Sequence, residues 1–123
     1  PREFRSSAGL PIFVGRSNRQ NDRLTTRTAE KWDLWFHTQK IHGSHVILST
    51  SGEQPDAQSI AEAASLAAYF SQAQSSTKVP VDFTQVKFVK KPAAAKPGMV
   101  VYTNYQTVLA DPNEELVKHL LVK

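Results

Sequence analysis

Residues 56–73, DAQSIAEAASLAAYFSQA, carry the clearest helical periodicity in the chain, and their apolar stripe is built largely of alanine. Ile60, Ala63, Ala64, Ala67 and Phe70 recur at helical spacing. Small side chains let such a helix lie close against a sheet, so the rest of the chain is expected to supply strands. Its pattern agrees. Residues 4–14 read as two short strands around the turn Ser6-Ser7-Ala8-Gly9. Residues 32–37 alternate with period two, placing Trp32, Leu34 and Phe36 on one side and Asp33, Trp35 and His37 on the other. A second strand is expected over 44–49, where β-branched Val46 and Ile47 fall, and one or two more over 79–89.

Three further elements complete the pattern. The polar loop 15–21 leads to a short helix carrying Leu24, Thr28 and Ala29, with Asn21 or Asp22 as its N-cap. Residues 99–102 and 107–110 read as a closing hairpin around Asn104-Tyr105. Asp111-Pro112 then starts a final helix in which Leu116, Leu120 and Leu121 share a face. Strands and helices mixed in this order imply an α+β fold: a single compact domain over 1–123, with a largely antiparallel sheet and helices packed on one face.

At 123 residues the chain has length enough for one two-layer core. No apolar run approaches the roughly 20 residues of a transmembrane helix, so no membrane insertion is expected. The absence of cysteine excludes disulfides and thiolate metal sites and allows a cytoplasmic home. The start PREFRSS has neither an initiator Met nor an apolar leader, and reads as a piece cut from a longer chain.

Charge is distributed in blocks. The net charge is +4 with a pI near 9.5, but residues 1–31 carry +4, 32–77 carry −3, 78–96 carry +4 and 97–123 carry −1. Two basic blocks flank an acidic middle, a pattern that favours a polyanionic partner. In the first block Arg16, Arg19 and Arg23 lie around a helix start, where forked guanidinium donors suit phosphate. In the second, Lys87, Lys90, Lys91 and Lys96 are interrupted by Pro92 and by Pro97-Gly98, which keeps them out of regular structure. The competing reading of each block is a solvated polar surface.

The stretch DLWFHTQKIHGSH, residues 33–45, is the sharpest feature. If its two strands pair, His45 comes near His37 on the face expected to hold Asp33 and Trp35. Three convergent ligands, Asp33, His37 and His45, are what a metal site needs, although their spacing matches no compact zinc signature. Ser44 and His45 are neighbours along a strand and point to opposite faces, so they do not make a nucleophile–base pair. Histidines satisfied within a core are the plain alternative. The reading preferred is a recognition surface in which Trp35 stacks and Ser44, His37 and His45 hydrogen-bond, with Tyr69, Tyr102 and Tyr105 as further stacking candidates.

Four stretches in unbroken order, GLPIFVGRSNRQNDRLT, DLWFHTQKIHGSHV, EAASLAAYFSQAQSSTKVPVDFTQVKFVKKP and KPGMVVYTN, resemble the NFACT-R domain. That domain is the C-terminal part of the fibronectin-binding-protein-A-like, or RqcH, ribosome quality control factors. The resemblance covers nearly the whole chain. It implies an RNA-binding module, without cofactor or enzymatic activity of its own. It further implies, as partners, tRNA and the rRNA of a large ribosomal subunit that holds a stalled peptidyl-tRNA, and a contribution to C-terminal alanine tailing. It carries over by motif to Gly15, Arg16, Asn21 and Asp22, to Asp33, Trp35 and His37, to Gly43, Ser44 and His45, and to Lys90, Lys91, Pro97 and Gly98. Two other classes stay open: a surface adhesin domain for fibronectin, and a metal-dependent hydrolase or nuclease.

Overall fold

The computed structural model describes all 123 residues. Six strands form one sheet: β1 (Arg2–Arg5), β2 (Pro11–Val14), β3 (Leu34–Thr38), β4 (Val46–Leu48), β5 (Val79–Gln85) and, late in the chain, β8 (Gln106–Ala110). Their order is β1-β2-β4-β3-β5-β8 and every pair is antiparallel. Between β5 and β8, β6 (Val89–Lys90) and β7 (Val101–Tyr102) form a separate two-stranded ribbon. The helices are α1 (Asn18–Arg23), α2 (Ala57–Tyr69) and α3 (Glu114–Leu120).

Alternation along the strands divides the apolar residues between two cores. Phe36 is registered with Val46 on one side and Phe83 on the other, and these point with Phe4, Ile12 and Leu48 toward α2. The helix answers with Ala63, Ala64, Ala67 and Ala68, all fully buried, so its backbone sits close to the sheet as the alanine stripe implies. Leu116, Val117 and Leu120 of α3 close the same core. On the opposite face Trp35 and Ile47 meet Leu24 and Val86, with Ala29, Val89 and Tyr102 packed against them. The fold is therefore the α+β, largely antiparallel architecture expected, with the two longer helices on one face. The other face is closed by a short helical segment and the ribbon.

Local boundaries depart from the sequence reading for identifiable reasons. The first helix starts earlier: Ser17, not Asn21 or Asp22, is its N-cap, its hydroxyl accepting the Gln20 N–H at 3.1 Å. The Ser-x-x-Gln spacing was the available signal, and here the Gln20 side chain reaches back to the Arg16 N–H at 2.9 Å. The helix then widens into a π-helical turn over Leu24–Thr28. α2 ends at Tyr69, short of residue 73. There the chain turns to pair with the loop before β4, Ser44 N–H donating to Phe70 O at 2.9 Å and Gln72 N–H to His42 O at 3.0 Å.

The expected hairpin over 99–110 does not form, since β7 pairs with β6 and β8 with β5. Tyr102 packs on Trp35 at 4.6 Å between ring centroids, which draws β7 onto the second face and away from β8. The final helix loses Leu121, which is 41% exposed and uses its backbone to bridge Phe4.

Candidate nucleic-acid interface

The residues of VGRSNRQND act chiefly on one another. Gly15 lies so close to Asn21 that a Cβ there would stand 2.0 Å from Asn21 Oδ1. That approach lets the buried Asn21 carboxamide accept the His45 N–H at 3.0 Å. Asp22 accepts the Gly98 N–H at 3.2 Å and pairs with Lys91 Nζ at 2.8 Å. The ammonium group holds its carboxyl below the usual range, with burial opposing and the Gly98 N–H helping.

His45 completes this cross-brace. It is 2% exposed, its Nδ1 lies 2.7 Å from Thr25 Oγ1 and its Nε2 lies 3.1 Å from Gly98 O. A carbonyl only accepts, so Nε2 carries the proton, and in the neutral ring Nδ1 accepts from the threonine hydroxyl. Burial, reinforced by the neighbouring His37, pulls its pKa from 6.5 down to about 4.

Trp35, His37 and His45 come together as the strand pairing predicted. The His37 ring is parallel to Trp35 within 5° at 5.8 Å, and His45 stands edge-on to Trp35 at 5.4 Å and to His37 at 5.6 Å. Burial lowers the pKa of His37 as well. Asp33 is absent from this group. It precedes β3, and its carboxylate accepts the Glu30 N–H at 2.9 Å and the Thr50 N–H at 3.2 Å, bracing a turn. The ligand set Asp33/His37/His45 thus does not converge, and no three His, Cys, Asp or Glu side chains stand together to share a metal ion. Ser44 and His45 do not pair either. Gly43 packs against β3 and Ser71, a Cβ there falling 2.8 Å from Thr38 Oγ1.

Two groups escaped the sequence reading. Thr25 is fixed only by the π-helical turn, which leaves no mark in the sequence. Asp82, 1% exposed and the one acid of its strand, accepts from Tyr102 Oη at 2.5 Å, Thr107 Oγ1 at 2.6 Å and Gln39 Nε2 at 3.1 Å. An acid within VPVDF was its signal. Burial and that carboxylate together raise the Tyr102 pKa. Tyr102 is therefore a packing residue, while Tyr105 stays 49% exposed beside it.

The basic side chains are distributed differently. Arg16, Arg19, Arg23, Lys87, Lys90 and Lys96 are exposed, and none of them pairs with a carboxylate. Lys91 is the exception, and its bond to Asp22 joins the second basic block to the first. Together the stretches 16–31 and 87–96 hold nine Lys/Arg against two acids, Asp22 and Glu30. Stretch 50–77, which includes α2 on the far face, holds no Lys/Arg and three acids. One layer of the molecule is basic and the other is not. Two adjoining clefts open beside α1: one of about 590 Å³ bordered by Arg2, Arg16 and Tyr69, the other of about 640 Å³ bordered by Lys40, His37 and Lys96.

A family model described as NFACT protein RNA binding domain matches residues 1–104. The Rqc2 homolog RqcH of Bacillus subtilis is 51% identical over 114 residues, covering 93% of this chain and 20% of that protein. The Rqc2 homolog RqcH of Streptococcus suis is 42% identical over 111 residues, 90% of this chain and 20% of that protein. The solved C-terminal part of the fibronectin/fibrinogen-binding protein from Streptococcus suis superposes with a TM-score of 0.95 at 39% identity, covering 99% of this chain and 49% of that one. The chain spans about a fifth of the length of the curated relatives it matches.

Proposed function

The chain belongs to the NFACT RNA-binding domain family, and on that premise we propose that it is the RNA-contacting module of a cytoplasmic ribosome quality control factor. The module meets rRNA or tRNA through its basic layer, on large ribosomal subunits that carry stalled peptidyl-tRNA, and so supports alanine tailing without catalysing a reaction of its own. One observation carries the reading: two basic blocks some 70 residues apart in sequence are tied side by side by Asp22, which holds both Lys91 and the Gly98 N–H. Within that layer Arg16, Arg19, Arg23, Lys87, Lys90 and Lys96 take phosphates, while Asn21, Asp22, His45 and Lys91 hold the surface in shape.

Binding of labelled tRNA and of large-subunit rRNA fragments across a salt series tests this. The wild type is expected to show a log–log slope of about −0.7 to −0.9 per phosphate contacted. Replacing Arg16 and Arg19 by alanine weakens binding and makes the slope shallower by about one unit per lost contact. An unchanged slope removes those two arginines from the interface.

A second reading draws on the description of the Streptococcus suis structure as a fibronectin/fibrinogen-binding protein. On it the domain binds fibronectin, and saturating RNA leaves that binding unaltered. Competition between the two ligands would favour one shared basic surface instead.

A further inference from the structure

We propose that the cleft between the end of β3 and residues 96–102 receives a single unstacked RNA base against the His37 imidazole, with Lys40 and Lys96 on the flanking phosphates. The inference rests on the RNA-binding reading and goes beyond it, from a charged surface to a pocket for one base. The cleft, about 640 Å³, lies within the range of sites that enclose small ligands. Its inner wall is aromatic: Trp35, His37 and Tyr102 all border it.

His37 is the member of that wall suited to stacking. Trp35 is 1% exposed and spent on the core, whereas His37 is half-buried and borders the opening. Its ring plane is set by the parallel indole of Trp35 and by His45 standing edge-on at 5.6 Å, so a base would meet a platform already oriented. Burial favours its uncharged form, which leaves phosphate attraction to the lysines. Lys40 and Lys96, both exposed and without a carboxylate partner, border the same cleft from separate elements. Exposed Asn18, His42 and Gln72 supply donors and acceptors for base edges.

A base held inside a duplex cannot enter such a pocket, because an A-form duplex keeps its bases stacked and paired. The site therefore selects single strands, loops or bulges.

The test compares a single strand of about six nucleotides carrying one adenine on an otherwise abasic RNA backbone, the same strand with that base removed, and an RNA duplex of equal charge. Wild type is expected to prefer the intact single strand. His37→Ala lowers its affinity for that strand about tenfold, leaves the duplex and the salt slope unaltered, and thereby matches the loss caused by removing one base. In unsubstituted protein the His37 ring protons shift by NMR when the intact strand is added, a readout that holds even if the variant folds poorly. Equal binding of strand and duplex overturns the pocket, as do unmoved His37 signals. Failure of every RNA to bind wild type at low salt overturns the RNA reading itself, and the pocket falls with it.

Discussion

Gly15, Asn21 and His45 make one structural unit from two separate stretches of the chain. The glycine leaves room for the carboxamide, the carboxamide holds the His45 backbone, and the imidazole reaches Thr25 on one side and Gly98 on the other. Protonating His45 would bury a charge in a site that also contains His37. Unfolded chain takes up that proton near pH 6.5, and folded chain refuses it until about pH 4. Stability from this residue is thus complete above about pH 6.5 and is lost as pH falls through 4, about 3 kcal/mol in all. Asp22, with its lowered pKa, adds a loss of the same sign at still lower pH. The urea midpoint should drop between pH 7 and 4 in the wild type and drop less in His45→Gln. A midpoint flat across that window would mean that the imidazole is not held neutral.

At the scale of elements, the segment between β6 and β7 is held by α1 rather than by secondary structure of its own. Its anchors are Lys91 on Asp22, Gly98 N–H on Asp22, and Gly98 O on His45. Asp22→Ala is expected to speed hydrogen exchange of the Gly98 amide while the amides of Phe36 and Phe83, in the centre of the sheet, stay protected. Equal protection of Gly98 in both proteins would assign the anchoring to His45 alone. The elements differ in how well the sequence announces them. α2 is plain because its stripe repeats over several turns and has Asp56 as a cap. α1 spans six residues, too few for a period, and its single cue is the Ser17-x-x-Gln20 spacing. β7 and β8 each read as strands, but adjacency in sequence suggests a hairpin that Tyr102, packed on Trp35, prevents.

For the whole molecule, the sheet separates two faces of unlike charge. The α1 face gathers both basic blocks, and the α2 face has acids without cations over residues 50–77. Such a dipolar arrangement orients a polyanion before contact is made. Lys90→Glu with Lys96→Glu should therefore reduce RNA affinity at least tenfold and flatten its salt dependence. Lys118→Glu changes net charge in the same sense, half as much, but sits on α3, where Lys118 already faces Glu114 at 3.7 Å. It should leave affinity nearly unchanged. If all substitutions act in proportion to charge alone, binding follows net charge and no particular face. No helix is long and apolar enough to cross a membrane.

The residue order by itself determined the α+β class, the alanine-faced helix, most strand positions and, once the two strands pair, the meeting of His37 with His45. These follow from periods of two and 3.6 residues and from turn chemistry, all local properties. It also determined that two basic blocks exist. Only the tertiary structure decided that those blocks adjoin and that Asp33 braces a turn instead of facing His37. It alone decided, too, that Asn21, Asp22 and His45 are occupied with protein partners. The physical reason is the same in each case: a polar side chain's role is set by which partner lies within about 3 Å of it. For these residues a partner lies 17 to 76 positions away along the chain, beside the local Glu30 N–H that Asp33 also takes.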